Sequence, residues 1–312
     1  MTQKRFPLMS FDDLTDRIAL VSQGQPGHIV DQLIAERGQK IVKNPLWPVM
    51  RPLLHVLLHY RQAHEFADDI ANLPGFDAFE YVSRYLQLQL KVRNKDRIPA
   101  KGGFVLVSNH PTGIADGVAM FDLLKDTRPD MTFFANRDAI RVNPRFVEMI
   151  IPVEWREEYK SKLKARETLQ LTNHAVKQGK ATVLFPSGRI AYWANGRLNE
   201  QTWKQSAVGL ARRYGLPVLP VHTAARTSGL FYWFAKHSTE LRDMTVFHEV
   251  LNKRGDTFEF NIGPLIQPEE LEGEPGAVTR ALEHYTVSQL AADPDRAFQF
   301  DAERVSQPEP FA

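Results

Sequence analysis

The stretch FVLVSNHPTGIADGVAMFDLL, residues 104–124, turns from apolar to polar to amphipathic in one short run. Phe104 to Val107 is rich in β-formers and follows Gly102-Gly103, so it reads as an interior strand. From Asp116 onward Val118, Phe121 and Leu124 recur at helical spacing, and aspartate is a residue type that caps helix N-termini. Asn109, His110, Pro111 and Gly113 form the loop between them. A strand and a helix joined by so short a loop fold back, which brings the Asp116 carboxylate to the His110 ring. That is the pairing a general base needs: one ring nitrogen takes a proton while a carboxylate orients the other. Taken singly, a strand-end histidine is structural and a helix-start aspartate is a cap. The pair gains meaning only beside a second motif.

Working outward, residues 1–98 read as a helical N-terminal region. FDDLTDRIALV, HIVDQLIAERGQKIV, LHVLLHYRQAHEFADDI and DAFEYVSRYLQLQLKV each repeat apolar residues every three or four positions. After RIPAKGG the texture alternates. Strands are expected at 104–108, 131–135, 181–185, 217–222 and 257–262, with helices near 116–125, 160–178, 204–214 and 276–292. Such alternation predicts an α/β fold, a largely parallel or mixed sheet flanked by helices, over 99–292. A polar, proline-containing tail follows over 293–312.

With 312 residues, 43% hydrophobic and 24% charged, the chain has the composition of a globular protein with a real core. The absence of cysteine excludes a disulfide framework, a cysteine nucleophile and thiolate metal sites, and fits a reducing compartment. A net charge of +2 gives no reason to expect nucleic acid as a partner. MTQKRFPLMSFDD has no continuous apolar segment of the secretory kind, and LWPVMRPLLHVLLHY, 46–60, is interrupted by Arg51, prolines and histidines. A membrane span needs roughly 20 mostly apolar residues. The expectation is a cytoplasmic chain that does not cross a membrane.

The second motif is VLFPSGR, 183–189, followed by NGRLNEQTWKQSAVGLA and GLPVLPVHTAAR. It sets a sharp turn at the carboxyl end of a strand, where open α/β sheets bind ligands. Gly188 lets backbone N–H groups approach an anion, and Arg189 supplies a planar donor fork for phosphate or carboxylate. On its own, Pro-Ser-Gly is a plain β-turn. Two other patterns compete. His55 and His59 stand one helical turn apart like metal ligands, but lack a metalloprotease glutamate and a third ligand. Ser187 is a nucleophile candidate with His110 and Asp116, outside any Gly-x-Ser-x-Gly elbow.

In combination and order, these blocks resemble the glycerolipid and lysophospholipid acyltransferase superfamily. NHPTGIAD resembles its Asn-His-x₄-Asp block, FPSGR with the Lys204 helix its Phe-Pro-Glu-Gly block, and LPVLPV the strand after it. FFANRDAIRVNPRFVEMIIPVEW sits where the family has its acceptor-binding block. The resemblance spans about 95–265. Five residues, not four, separate His110 from Asp116, as in the hemolysin-like branch linked in part to ornithine-lipid synthesis. Ser187 replaces the usual glutamate, and Arg189 stands one place early.

The resemblance implies an O-acyltransferase without metal or redox cofactor. His110 and Asp116 would be catalytic; Asn109, Ser187, Gly188, Arg189 and Lys204 would bind substrate. The donor implied is acyl-CoA or acyl-carrier protein, and the acceptor a lysolipid or glycerol-phosphate-type hydroxyl. A lipid or thioester hydrolase and a non-catalytic lipid-binding module are the rivals. A lysolipid acceptor also implies a membrane-surface partner, met peripherally on the inner face. NPLWPVMRPLLHVLLHYR, 44–61, is the docking candidate, with Trp47, Met50, Leu53, Leu54, Leu57 and Leu58 on its apolar side and Arg51, His55, His59 and Arg61 flanking it. The competing expectation packs those leucines into the core.

Overall fold

A computed structural model describes residues 11–22, 27–154 and 159–300. At its centre β2 (Phe104–Ser108) lies parallel to β5 (Ala181–Leu184) on one side and β8 (Val218–Ala224) on the other. Beyond β5 come β3 (Thr132–Asn136) and β4 (Ile150–Val153), also parallel; beyond β8 come β9 (Thr257–Ile262) and β1 (Gln89–Arg93). Because β9 runs antiparallel to β8 and carries β1 parallel to itself, the seven-stranded sheet is mixed. A two-stranded hairpin, β6 (Tyr192–Ala194) and β7 (Arg197–Asn199), stands apart from it.

The period of two along β2 divides the core. Phe104 and Leu106 point to a layer shared with the helices Ile114–Leu124 and Lys162–Lys177, while Val105 and Val107 point to Ser206–Tyr214 and Pro275–His284. With both faces covered, β2 and β5 are buried throughout, which is why they read as unbroken apolar runs. Helices Phe11–Ser22, Ile29–Arg37, Tyr60–Ile70 and Gly75–Leu86 join the first layer. Phe79 stacks on Phe121 and Phe133 at 5.3 and 5.1 Å between ring centroids, so this helical region shares the sheet's own core.

Several elements differ from the sequence expectation. The helix read through 92 ends at Leu86, where Gln87 turns left-handed (φ 49°), and Gln89–Arg93 becomes an edge strand. Leu-Lys-Val alternates at period two, and its burial alternates likewise. The helix expected from Asp116 begins at Ile114. The helix over 276–292 holds a five-residue π-helical segment, Tyr285–Gln289. The polar tail is docked where it is described: Phe298 packs on Tyr285, and Arg97 binds Asp295 at 2.6 Å. Residues 301–312 of that tail, and 1–10 at the other end, lie outside the described residues.

The stretch proposed for docking is a helix, Trp47–Leu57, apolar around most of its circumference except where Arg51 and His55 stand. Leu54 and Leu58 are buried with Phe234 and Met244, and Trp47 and Met50 lean on that cluster. Most of the face named from sequence is therefore a core face. Leu53 of that face is exposed and joins Leu46, Val49 and Val56 in a strip that faces outward at spacings of three and four. Among the described residues no helix is long and apolar enough to cross a membrane.

Candidate active site

The carboxyl ends of β2, β5 and β8 converge, and each contributes to one site. Asn109, just past β2, is clamped to β8: its Oδ1 accepts the Thr223 N–H at 2.7 Å, and its Nδ2 donates to the Thr223 carbonyl at 2.8 Å. Engaged at both ends of its amide, it holds the ends of β2 and β8 together.

The chain then turns through Gly113, whose φ of 82° and ψ of −123° suit glycine alone. A Cβ there would meet Ile190 Cδ1 at 2.7 Å. This turn starts the helix two residues early, so Asp116 is its third residue and not its cap. From there its carboxylate reaches back. Oδ2 accepts the N–H groups of Thr112 (2.8 Å) and Gly113 (3.0 Å), and Oδ1 accepts the Thr112 hydroxyl at 2.5 Å. Completely buried, Asp116 also brings Oδ2 to 2.9 Å from His110 Nδ1. That approach is at ion-pair distance but off the line a hydrogen bond requires. Catalytic contacts commonly tighten only with substrate bound. His110 stacks on Phe185 at 4.3 Å between centroids, which leaves Nε2 as the nitrogen not directed at Asp116.

Phe185 opens the second arm. Gly188 N–H donates to the Phe185 carbonyl at 2.9 Å, closing a turn with Pro186 and Ser187 at its corners and Gly188 at φ 63°. Ser187 is buried, and its hydroxyl donates to the Arg189 carbonyl at 2.9 Å. That is a turn-stabilising geometry, not the hydrogen bond to a base that activates a nucleophile. Arg189 and Lys204 are exposed. The Lys204 N–H donates to the Pro186 carbonyl at 3.0 Å, and its Nζ lies 3.6 Å from where a Gly188 Cβ would stand. The turn thus carries two cationic side chains beside an open glycine, an arrangement suited to an anion.

One residue that sequence reading missed completes the site. Glu200, after β7, accepts the His110 N–H at 3.1 Å through Oε2, while Oε1 is buried without a hydrogen-bond partner. Burial pushes its carboxyl above the usual range, against a smaller opposing effect of the nearby Ser187 hydroxyl. The only signal in the sequence was the turn that delivers it: Asn195-Gly196, both at positive φ, closes the β6–β7 hairpin.

No metal centre emerges from the described histidines. The ligand atoms of His28, Asp31 and His64 lie within 4.8 Å of one another. The two rings, however, stack 3.6 Å apart at 16°, and nearly parallel stacked imidazoles cannot both direct an in-plane nitrogen at one ion. His28 Nδ1 also accepts the Val30 N–H. His55 stacks on Tyr60 and His59 meets His248 Nδ1 at 2.9 Å, so that pair is divided between different neighbours.

Comparison with known proteins sets these features beside the acyltransferases. The family model described as Acyltransferase matches residues 89–224, from β1 to the end of β8. A lyso-glycine lipid O-acyltransferase of Phocaeicola vulgatus is 24% identical over 69% of this chain and 77% of its own length. One of the same name from Bacteroides thetaiotaomicron is 22% identical over 57% of this chain and 64% of its own. Among solved structures, the 1-acyl-sn-glycerophosphate acyltransferase PlsC of Thermotoga maritima is 14% identical with a TM-score of 0.46, covering 70% of this chain and 81% of that one. Residues 89–224 are thus similar to acyltransferases, and the relatives that match over a longer stretch are named lipid O-acyltransferases.

Proposed function

We propose that this acyltransferase moves a fatty acyl group from a thioester donor, acyl-CoA or acyl-carrier protein, to the hydroxyl of a lysolipid, with His110 as general base. The observation that carries this reading is the His110–Asp116 pair at the carboxyl end of β2, beside the turn that follows β5. His110 Nε2 takes the proton of the acceptor hydroxyl while the oxygen attacks the thioester carbonyl. Collapse of the tetrahedral intermediate breaks the C–S bond, and the thiolate leaves with the proton held by His110. Proton transfer by a positioned histidine contributes roughly 10²–10⁴-fold, and substrate positioning contributes further.

Arg189 and Lys204 hold an anionic group of one substrate. The relatives are named for a lyso-glycine lipid, and we take the acceptor here to be a lysolipid with an amino-acid head group, whose carboxylate matches the guanidinium fork. The bilayer is met at the surface. Leu46, Val49, Leu53 and Val56 form the exposed strip, Arg51 lies beside it, and exposed Trp233 stands on the helix that packs against it through Phe234.

The test is an assay of purified protein with a thioester donor, with and without lysolipid. Acyl transfer that depends on lysolipid is expected. Bare thioester hydrolysis would favour a hydrolase, and lipid binding without turnover a non-catalytic module.

A further inference from the structure

We propose that the β6–β7 hairpin is a clamp on the main chain of His110, with Glu200 as its positioning residue. The inference rests on the general-base reading of His110 and adds to it a residue that lies outside both motifs.

Both main-chain polar groups of His110 are held by the two ends of one hairpin. On entry, the Ala191 N–H donates to the His110 carbonyl at 2.9 Å; on exit, the Glu200 carboxylate accepts the His110 N–H at 3.1 Å. The jaws are stiff. β6 and β7 pair from Tyr192↔Asn199 to Ala194↔Arg197, and the turn between them is the two-residue Asn195-Gly196. The returning chain is anchored twice more: the Trp203 N–H donates to Glu283 at 3.0 Å, and the Lys204 N–H to Pro186 at 3.0 Å. The clamp therefore ties the His110 loop to the turn that carries Ser187, Gly188 and Arg189.

Glu200 is a costly way to bind one N–H. Its Oε1 is buried and unpartnered, and a carboxylate left so is expensive in any fold. The groups facing it are the His110 main chain and ring, the Ser187 hydroxyl and the Asp116 carboxylate. Position 187 is where the resembled block carries glutamate; here a serine stands there, and the carboxylate beside it arrives from the hairpin. The strength of the contact matters because His110 sits on a loop, not in a strand or helix. A 1 Å displacement of a catalytic group can cost on the order of 10²-fold.

The experiment compares Glu200→Ala, Glu200→Asp and Glu200→Gln in the full chain, with palmitoyl-CoA and a lyso-glycine lipid as substrates. Ala removes the acceptor, Asp withdraws it by one methylene, and Gln leaves a neutral oxygen in place. The expected result is a fall in kcat of roughly ten- to hundredfold for Ala and Asp. Both KM values should stay within about threefold, and Gln should retain turnover within about threefold of wild type. A merely structural hairpin anchor would lower stability without this division between kcat and KM. If Glu200→Ala does not fold, the Asp and Gln variants carry the test. Equal kcat in Asp, Gln and wild type overturns the clamp, as does a Gln variant as slow as Asp. A His110→Ala enzyme that keeps its turnover is a different failure, that of the general-base reading itself.

Discussion

Replacing Val49 and Leu53 with serine separates membrane docking from folding. Both side chains stand one turn apart on the outer strip of helix Trp47–Leu57, 77% and 71% exposed, whereas Leu54 is buried. Full burial of a valine or leucine side chain is worth about 1.5–3 kcal/mol. Scaled by these exposures, a membrane that takes up both gains about 2–4 kcal/mol, or roughly 30- to 1,000-fold in partition. Surface substitutions of this kind shift stability by within about 0.5 kcal/mol. The assay is sedimentation with phosphatidylglycerol-containing vesicles at low salt, beside thermal unfolding of the same samples. Val49→Ser/Leu53→Ser is expected to leave Tm unchanged and the protein in the supernatant. Leu54→Ser, on the packed side with Leu58, Phe234 and Met244, should instead lower Tm, since emptying a buried leucine site costs about 2–5 kcal/mol. Wild type that stays in the supernatant, or a double variant that sediments like wild type, refutes surface docking by this strip.

Three further outcomes are expected. His110→Ala, matched to wild type by circular dichroism, should lose roughly 10²–10⁴-fold in turnover, and retention of more than about a tenth would refute the mechanism. Asp116→Asn should lose most activity too, because a carboxamide cannot accept from Thr112, Gly113 and the Thr112 hydroxyl at once and frees the ring to take the other tautomer. Arg189→Lys keeps the charge but removes the fork, so the acceptor KM should rise while kcat holds; an unchanged KM would take Arg189 out of the site. Ser187→Ala should retain substantial turnover, since its hydroxyl is bonded to the Arg189 carbonyl; an acyl adduct on Ser187 by mass spectrometry would instead favour the hydrolase.

What was legible in the sequence was whatever is written locally. Phe104–Ser108 could be read because a strand buried on both faces must be apolar throughout, and the helix after it because its apolar residues recur at helical period. The His110–Asp116 pairing followed from their separation by one short loop. Its geometry did not, because the backbone of Gly113 decides where the helix begins and so whether Asp116 caps it or reaches back from its first turn. Edge strand β1 was hidden behind a helical pattern that changes period only in its last residues. The helix Trp47–Leu57 is apolar around most of its circumference, so periodicity does not say which leucine is core; Phe234 and Met244, nearly two hundred residues away, decide it. Glu200 was the least visible of all. In sequence it is one acid in a polar run, and it enters the site only because a two-residue turn and a strand pair bring it to a backbone N–H 90 positions earlier. Local periodicity determines elements, whereas the partner of a buried polar atom is a property of the folded chain alone.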